Sequence, residues 1–403
     1  MNILIVTPHF YPENFRINDF AIEFNKRGHN ISVLTAIPDY PKGKFYDGYG
    51  VFKNNRETYN GINIYRAPLI PRGSGSNLRL ALNYISFVVG GIFTSLFMLK
   101  NEFDIVFVFE PSPITVGIPA IFIKKIKKIP LCFWVLDLWP ESIVSAGNLE
   151  KTSFIPKVLD PVVKFIYKHS DKILVSSNGF VDSVENKGIS RDKIEFFPQW
   201  AEPIFKPIKT NEYLLGDIPK DSFKIMFAGN IGSGQDIPSI IKAAQILKEY
   251  GYIKFIILGD GSEKEYLVQK VKELNLSDTI YYLGSYPVKE MANFYYHADM
   301  MLLILRDELV YSYIVPAKLQ SYLASKKPVA AMINGEAADI IKRSKCGVVV
   351  NAEDYKAFAE GIIKISKTPD LYLDEMKHNG FAYYEKTFEK KMVIDSFLES
   401  VSN

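Results

Sequence analysis

Residues 298–332, ADMMLLILRDELVYSYIVPAKLQSYLASKKPVAAM, read as strand, polar loop, helix, strand. The apolar run Met300–Leu305 is short and bounded, which suits a strand buried on both faces of a parallel sheet. Pro316 announces the helix, because proline is favoured at a first helical position, where its missing N–H is no loss. The amides of Ala317, Lys318 and Leu319 then lack intrahelical acceptors and, with the helix dipole, form a natural anion site. Lys318 sets a positive charge at the helix end that ordinarily favours a negative one. The inversion points to a bound anion, most simply a diphosphate. A solvated surface lysine is the competing reading, and the helix alone does not separate the two.

The elements around this stretch repeat its rhythm. Lys224–Ala228 predicts a strand, followed by GNIGSGQDIPSIIKAA, in which Gly229, Gly232 and Gly234 let the backbone approach a ligand closely. A glycine turn from strand to helix is a phosphate-cradling geometry, although many ordinary turns share it. Phe255–Leu258 with GDGSEKEYL repeats the theme, then come strands at Ile280–Leu283, Val329–Ile333 and Gly347–Val350. Upstream, PQWAEPIFKP at 198–207 carries three prolines in ten residues and reads as an extended linker between two domains.

The half before that linker alternates in the same way, with strands expected at Ile3–Val6, Asn30–Ala36, Asp104–Phe109, Leu131–Leu136, Ile173–Ser177 and Lys193–Phe197. The opening MNILIV reads as a first strand rather than a signal peptide. In open α/β sheets ligands sit in loops beyond the strands' carboxyl ends. The first such loop lacks the G-x-G-x-x-G of a dinucleotide fold and offers Glu13, Asn14 and Arg16 instead. Arg16 suits a bidentate phosphate contact, with an ordinary surface arginine as the alternative. Glu110 and Asp137 close two strands and are candidate catalytic or acceptor-binding carboxylates. Glu141, four residues after Asp137, would share its face if the segment is helical and reads as an acid serving the helix dipole. The Pro/Gly/Tyr-rich loop IPDYPKGKFYDGYG, after the second strand, reads as a mobile acceptor-side element.

Residues 80–99 carry no charge, a length that would nominate a membrane span, but soluble α/β alternation resumes directly afterwards. The segment is expected to be a helix packed on the sheet with one face at a bilayer interface, giving peripheral membrane contact through 77–100.

Composition allows large cores and argues against disorder, with 48% hydrophobic and 14% aromatic residues. A formal charge of +3 without long basic runs gives no support to nucleic-acid binding. The two cysteines, Cys132 and Cys346, read as buried thiols of a reducing compartment. There is no D-x-D, H-E-x-x-H, C-x-x-C, G-x-S-x-G or P-loop, so no residue is assigned to a metal.

HFYPEN, RGHNISVLTAIPDYPKG, DLWPES, FAGNIG, LGDGSEKEYL and PAKLQSYLASKKPVAA together resemble the GT-B glycosyltransferases of family 4 along essentially the whole chain. Within that family the resemblance is to bacterial O-antigen and capsule enzymes that transfer N-acetyl-L-fucosamine. It implies two Rossmann-like α/β domains facing each other across a deep cleft. Residues 1–200 would form the acceptor-side domain and 210–384 the nucleotide-sugar domain, with a C-terminal helix at about 385–403 packing back on the first. It implies a UDP-sugar substrate, no cofactor and no metal, and a polyprenyl-diphosphate-linked saccharide acceptor. The cytoplasmic face of the membrane is the implied location. The diphosphate would lie by Gly229, Asn230, Gly232, Gln235, Arg306, Ala317 and Lys318, the base near Ser285 and the ribose near Ser321. The family's E-x7-E glutamates fall at Tyr313 and Ser321, its cationic pair after the glycine turn gives way to Asn230 and the Gln235 region, and Leu136 stands where a histidine is common. These departures move the burden to Lys318, Arg306 and Arg16 for charge, and to Asp137 and Glu110 for acid/base work. A nucleotide-sugar 2-epimerase of the same architecture and a non-catalytic nucleotide-sugar-binding scaffold are the alternatives.

Overall fold

A computed structural model describes residues 1–145, 155–210 and 212–402. The chain divides into two compact units, residues 1–176 with 180–197, and residues 177–179 with 198–403. Each is a Rossmann-like α/β domain. Asn403, the last residue of the expected C-terminal helix, lies outside the described residues.

The first unit is built on an eight-stranded sheet. Its strands are β1 (Asn2–Val6), β2 (Asn30–Ala36), β3 (Arg56–Tyr59), β4 (Ile62–Ala67), β5 (Ile105–Glu110), β6 (Leu131–Val135), β7 (Lys172–Val175) and β8 (Ile194–Phe196), ordered β3-β4-β2-β1-β5-β6-β7-β8. Every pairing is parallel except β3 with β4. β5 and β6 are buried along their whole length, the outcome expected of unalternating apolar runs. Aromatic rings fill the space beneath: Phe20 stacks on Phe107 at 4.6 Å, and Trp134 meets Phe197 at 4.8 Å while its indole N–H donates to the Phe197 carbonyl at 2.9 Å.

The sequence reading passed over the β3–β4 hairpin. Its signal is the Asn60–Gly61 pair, with φ of 48° and 79°, the left-handed pair that a tight hairpin turn needs.

The second unit carries six parallel strands: β9 (Phe223–Ala228), β10 (Ile253–Leu258), β11 (Ile280–Gly284), β12 (Met300–Ile304), β13 (Val329–Met332) and β14 (Gly347–Val350), ordered β11-β10-β9-β12-β13-β14. Ile225, Phe227, Ile240, Leu247, Ile257 and Leu302 lie in one buried core under this sheet. In each unit the strand order reverses at the centre, between β1 and β5 and between β9 and β12. Loops diverge at such switch points and leave a crevice at the carboxyl edge.

Two local expectations are corrected. Pro316 caps the helix Ala317–Ala324 with extended ψ of 139° and is not its first residue; proline's fixed φ of −62° serves either position. The Leu319 amide is not free, because it closes a tight turn onto the Pro316 carbonyl at 2.9 Å. Asp137 and Glu141 do not share a helix face either: the helix starts at Glu141, and Asp137 stays in the loop after β6.

Candidate active site

The switch point of the second unit gathers most of the residues singled out there. The loop after β9 brings Gly229, Asn230 and Gly232, and turns at Gln235 with its amide on the Gly232 carbonyl at 2.9 Å. The loop after β12 begins with Arg306, whose amide donates to the Gly234 carbonyl at 3.1 Å, tying the two loops together. The helix Ala317–Ala324 then delivers Lys318. Its ammonium lies 4.4 Å from the centre of the Phe227 ring and donates to Gln235 Oε1 at 3.1 Å. Among the described residues no carboxylate pairs with it, and burial pushes its pKa down to about 8. The Arg306 Nε is also buried without a hydrogen-bond partner in the structure. A desolvated ammonium beside a buried, unpartnered guanidinium Nε, with no carboxylate paired to the ammonium among the described residues, is a setting that an anion would complete.

Two glycines make this packing possible. Gly229, at φ +139°, leaves room for the lysine stem: a Cβ there would stand 2.6 Å from Lys318 Cε. Gly259, at φ +136°, lies against the Gly229 backbone, where a Cβ would meet the Gly229 oxygen at 1.8 Å. Gly259→Ala is therefore expected to destabilise the second unit by at least about 1–3 kcal/mol from backbone conformation alone, read as a lowered unfolding midpoint. Gly229→Ala carries the same backbone cost at φ +139°, and because its Cβ would also meet the Lys318 stem it is expected to displace Lys318 and lower activity as well as stability.

The remaining residues expected in this unit are more scattered. Ala317 is exposed at the helix start. Asn230 is exposed, with its side chain against Gly232 and Gly261. Ser285 is exposed just beyond β11, on the same carboxyl edge, where the Gly284 carbonyl accepts from the Gly259 amide at 2.8 Å. Ser321 turns its hydroxyl back onto the Ala317 carbonyl at 3.1 Å. Gln320, on the helix face away from Lys318, is buried with its Oε1 unpartnered.

In the first unit, Glu110 and Asp137 come together at the ends of β5 and β6. Glu110 is fully buried, and its Oε2 accepts from the amides of Leu136 and Asp137, each at 3.3 Å. Burial, then the Asp137 charge, raises the Glu110 pKa well above the usual carboxylate range, against the pull of those amides. Asp137 is half-buried, and burial pushes its carboxyl up to about 6. Asp137 is thus a carboxylate poised near neutrality at a strand end, the setting of a general base.

Glu13 sits differently from the free ligand expected. Its Oε1 accepts from the amides of Asp39 and Tyr40 at 2.9 and 2.7 Å, and its Oε2 meets His9 Nδ1 at 2.7 Å. His9 Nε2 lies 2.9 Å from the Arg72 guanidinium. A guanidinium only donates, so Nε2 accepts and Nδ1 carries the proton that it gives to Glu13. Arg72 returns its amide to Asp39 Oδ2 at 2.8 Å, which Asn83 also reaches at 3.2 Å. The sequence reading missed this His9–Glu13–Asp39–Arg72 network, whose one local signal is the histidine four residues before Glu13 at a strand's end. Asn14 is exposed, and Arg16 opens the first helix. Among the described residues no group of three or more His, Cys, Asp or Glu is set to hold a metal.

Two domain models divide most of the chain: residues 14–200 match the Glycosyl transferase 4-like domain, and residues 216–382 match Glycosyl transferases group 1. The putative colanic acid biosynthesis glycosyl transferase WcaI of Escherichia coli K12 is 22% identical over the full length of both chains. The N-acetylgalactosamine-N,N'-diacetylbacillosaminyl-diphospho-undecaprenol 4-alpha-N-acetylgalactosaminyltransferase of Campylobacter jejuni is 32% identical over 35% of this chain and 38% of its own. Among solved structures, Anabaena Alr3699/HepE in complex with UDP shares the fold across the full length of both chains, with a TM-score of 0.68 at 14% identity.

Proposed function

We propose that this chain, a GT-B-type glycosyltransferase made of a 4-like and a group 1 domain, moves a sugar from a UDP-sugar to a lipid-linked saccharide in surface-polysaccharide synthesis. The observation that carries the donor side is Lys318: a desolvated ammonium without a carboxylate partner among the described residues, at the start of a helix and against a glycine turn. A nucleoside diphosphate supplies the missing charge. UDP in the HepE structure and the diphospho-undecaprenol acceptor in the Campylobacter relative's name support the choice of donor and acceptor class. N-acetyl-L-fucosamine is the donor sugar we favour. The work is done at the cytoplasmic face of the membrane.

In this reading an acceptor hydroxyl attacks the anomeric carbon while the bond from that carbon to the diphosphate oxygen breaks. Asp137 orients the hydroxyl and takes its proton. Lys318, Arg306 and the amides of Ala317 and Lys318 hold the charge that develops on the departing diphosphate. Protein cations supply this charge, so we expect transfer without a divalent metal. The Glu110 carboxyl sets the Asp137 backbone from beneath.

Asp137 and Lys318 together set the pH profile expected of transfer. Asp137 must be ionised, so activity is lost as pH falls through about 6. Lys318 must be protonated, so activity is lost as pH rises through about 8. kcat/KM is expected to trace a bell between these limbs. A bound diphosphate favours the ammonium, so the alkaline limb of kcat should move to higher pH than that of kcat/KM. Superimposable alkaline limbs would contradict the placement of the diphosphate at Lys318. The assignment as a whole is tested by screening UDP-sugars, by mass spectrometry, against polyprenyl-diphosphate-linked N-acetylglucosamine with and without a chelator. A glycosylated lipid product supports it. An epimerised donor formed without any acceptor overturns it in favour of an epimerase.

A further inference from the structure

The helix Asn77–Met98 is inside out. Its buried positions are Asn83, Phe87, Gly90, Gly91, Thr94 and Ser95, mostly polar or small. The outward stripe carries Leu78, Ile85, Val89, Phe93, Leu96 and Phe97, with Leu78 at 74% and Val89 at 63% exposure. A helix on a soluble sheet turns its apolar side inward and its polar side to water, so this face is presented to something other than water.

Crossing a bilayer is not the explanation. At about 1.5 Å per residue the helix is long enough. Its inner side, however, is bonded into the first unit: Asn83 donates to Asp39 Oδ2 and to the Ile70 carbonyl at 2.7 Å, and Gly90 packs so closely on Pro68 that a Cβ would meet its oxygen at 2.1 Å. A span would strip all of these contacts.

The charge around the stripe identifies the occupant. No acidic residue lies between Glu57 and Glu102. Arg79 is exposed near the helix's amino end and Lys100 just past its carboxyl end. The run Lys124–Lys128 is seated beside that carboxyl end, because Lys127 donates to the Asn101 carbonyl at 2.8 Å, and it leaves Lys125 and Lys128 exposed on either side of Ile126. A second copy docking through the same face would bring Arg79, Lys100, Lys125 and Lys128 against their like, more positive charge than the exposed Glu102 and Asp104 just past Lys100 can offset. Anionic lipid headgroups over an apolar acyl layer complement both features.

We propose that the outward stripe of the helix Asn77–Met98, with Lys100, Lys125 and Lys128, is a docking surface that lies in the interface of a bilayer containing anionic lipid. The surface is independent of the sugar-transfer chemistry, because none of these side chains belongs to the site described above. It would bring the enzyme to the layer that holds a lipid-linked acceptor.

The test is sedimentation of the purified full chain with vesicles of phosphatidylcholine, with or without about a third phosphatidylglycerol, across a salt series. Binding is expected to be at least tenfold tighter to the anionic vesicles and to weaken with salt. The Ile85→Asp/Phe93→Asp variant should lose vesicle binding while keeping the wild-type melting curve and wild-type transfer to a water-soluble acceptor. Lys125→Gln/Lys128→Gln should weaken anionic-vesicle binding by roughly 10- to 30-fold and leave the weak binding to phosphatidylcholine unchanged. Unchanged vesicle binding by the Ile85→Asp/Phe93→Asp protein would overturn the proposal. So would a wild-type dimer in vesicle-free buffer that this variant converts to monomer, or cellular protein that resists alkaline carbonate extraction, since each assigns the stripe to another occupant.

Discussion

Lys318→Met is expected to lower kcat/KM for sugar transfer by roughly 10²–10³-fold while the unfolding midpoint stays level or rises. The two effects have one cause. The folded surroundings of Lys318 disfavour its charge, which is why its pKa falls from 10.5 to about 8. The sign follows from linkage. Above 10.5 the lysine is neutral in both states and nothing is lost; as pH falls the unfolded chain gains the proton first, and below about 8 the full penalty falls on the folded state. Methionine fills the space left by Gly229 and over Phe227 without that charge, so stability at neutral pH does not suffer. Transition-state stabilisation does, because the departing diphosphate loses its nearest cation. Equal turnover by the methionine variant, or a sharply lowered midpoint, would show that Lys318 serves the fold and not the reaction.

Asp137→Asn is expected to reduce kcat by roughly 10²–10⁴-fold, with Glu110→Gln costing far less. The contrast separates two carboxyls that the sequence offered as equals. Asp137 sits half-buried in a loop, with its carboxyl raised to about 6, and can exchange a proton near neutrality. Glu110 is fully buried and spends one oxygen on two amides of the Asp137 loop. Glutamine keeps an acceptor for those amides and removes a group already held toward its neutral form, so the loop should stay in place. Glu110→Ala leaves the amides unpaired and is expected to cost about 1–3 kcal/mol of stability. Measured side by side, kcat and melting curves of the three variants distinguish a proton acceptor from a residue that positions it. If Glu110→Gln fell as far as Asp137→Asn with an intact melting curve, Glu110 would be the reacting group.

The parts of the fold that were legible are those with strong local patterns. Runs such as Ile105–Phe109 and Leu131–Val135 are apolar without alternation, and such runs become central parallel strands whatever surrounds them. The β3–β4 hairpin carried a legible turn at Asn60–Gly61, but its strands are short and one is half polar, so the apolar pattern alone did not raise it. Lys318, Gln235 and Gly229 were legible because each lies in a connection that leaves a strand's carboxyl end, and the alternating topology brings those ends to one edge. Arg72 was not: its partners His9 and Asp39 come from other loops, and no local spacing announces a contact between residues 63 apart. The inside-out helix was half legible. Its lack of charge was plain, but which face the small and polar residues take depends on the sheet beneath.

The most direct test of the anion site is calorimetry of UDP binding at pH 8 in two buffers of different ionisation enthalpy. Free Lys318 is about half protonated there, whereas phosphate groups have already lost their second proton, near pH 6. Closing the diphosphate against the ammonium should draw about half a proton from the buffer, and Lys318→Met should bind more weakly with no uptake. Proton uptake that is absent from the wild type, or identical in the two proteins, would contradict the account.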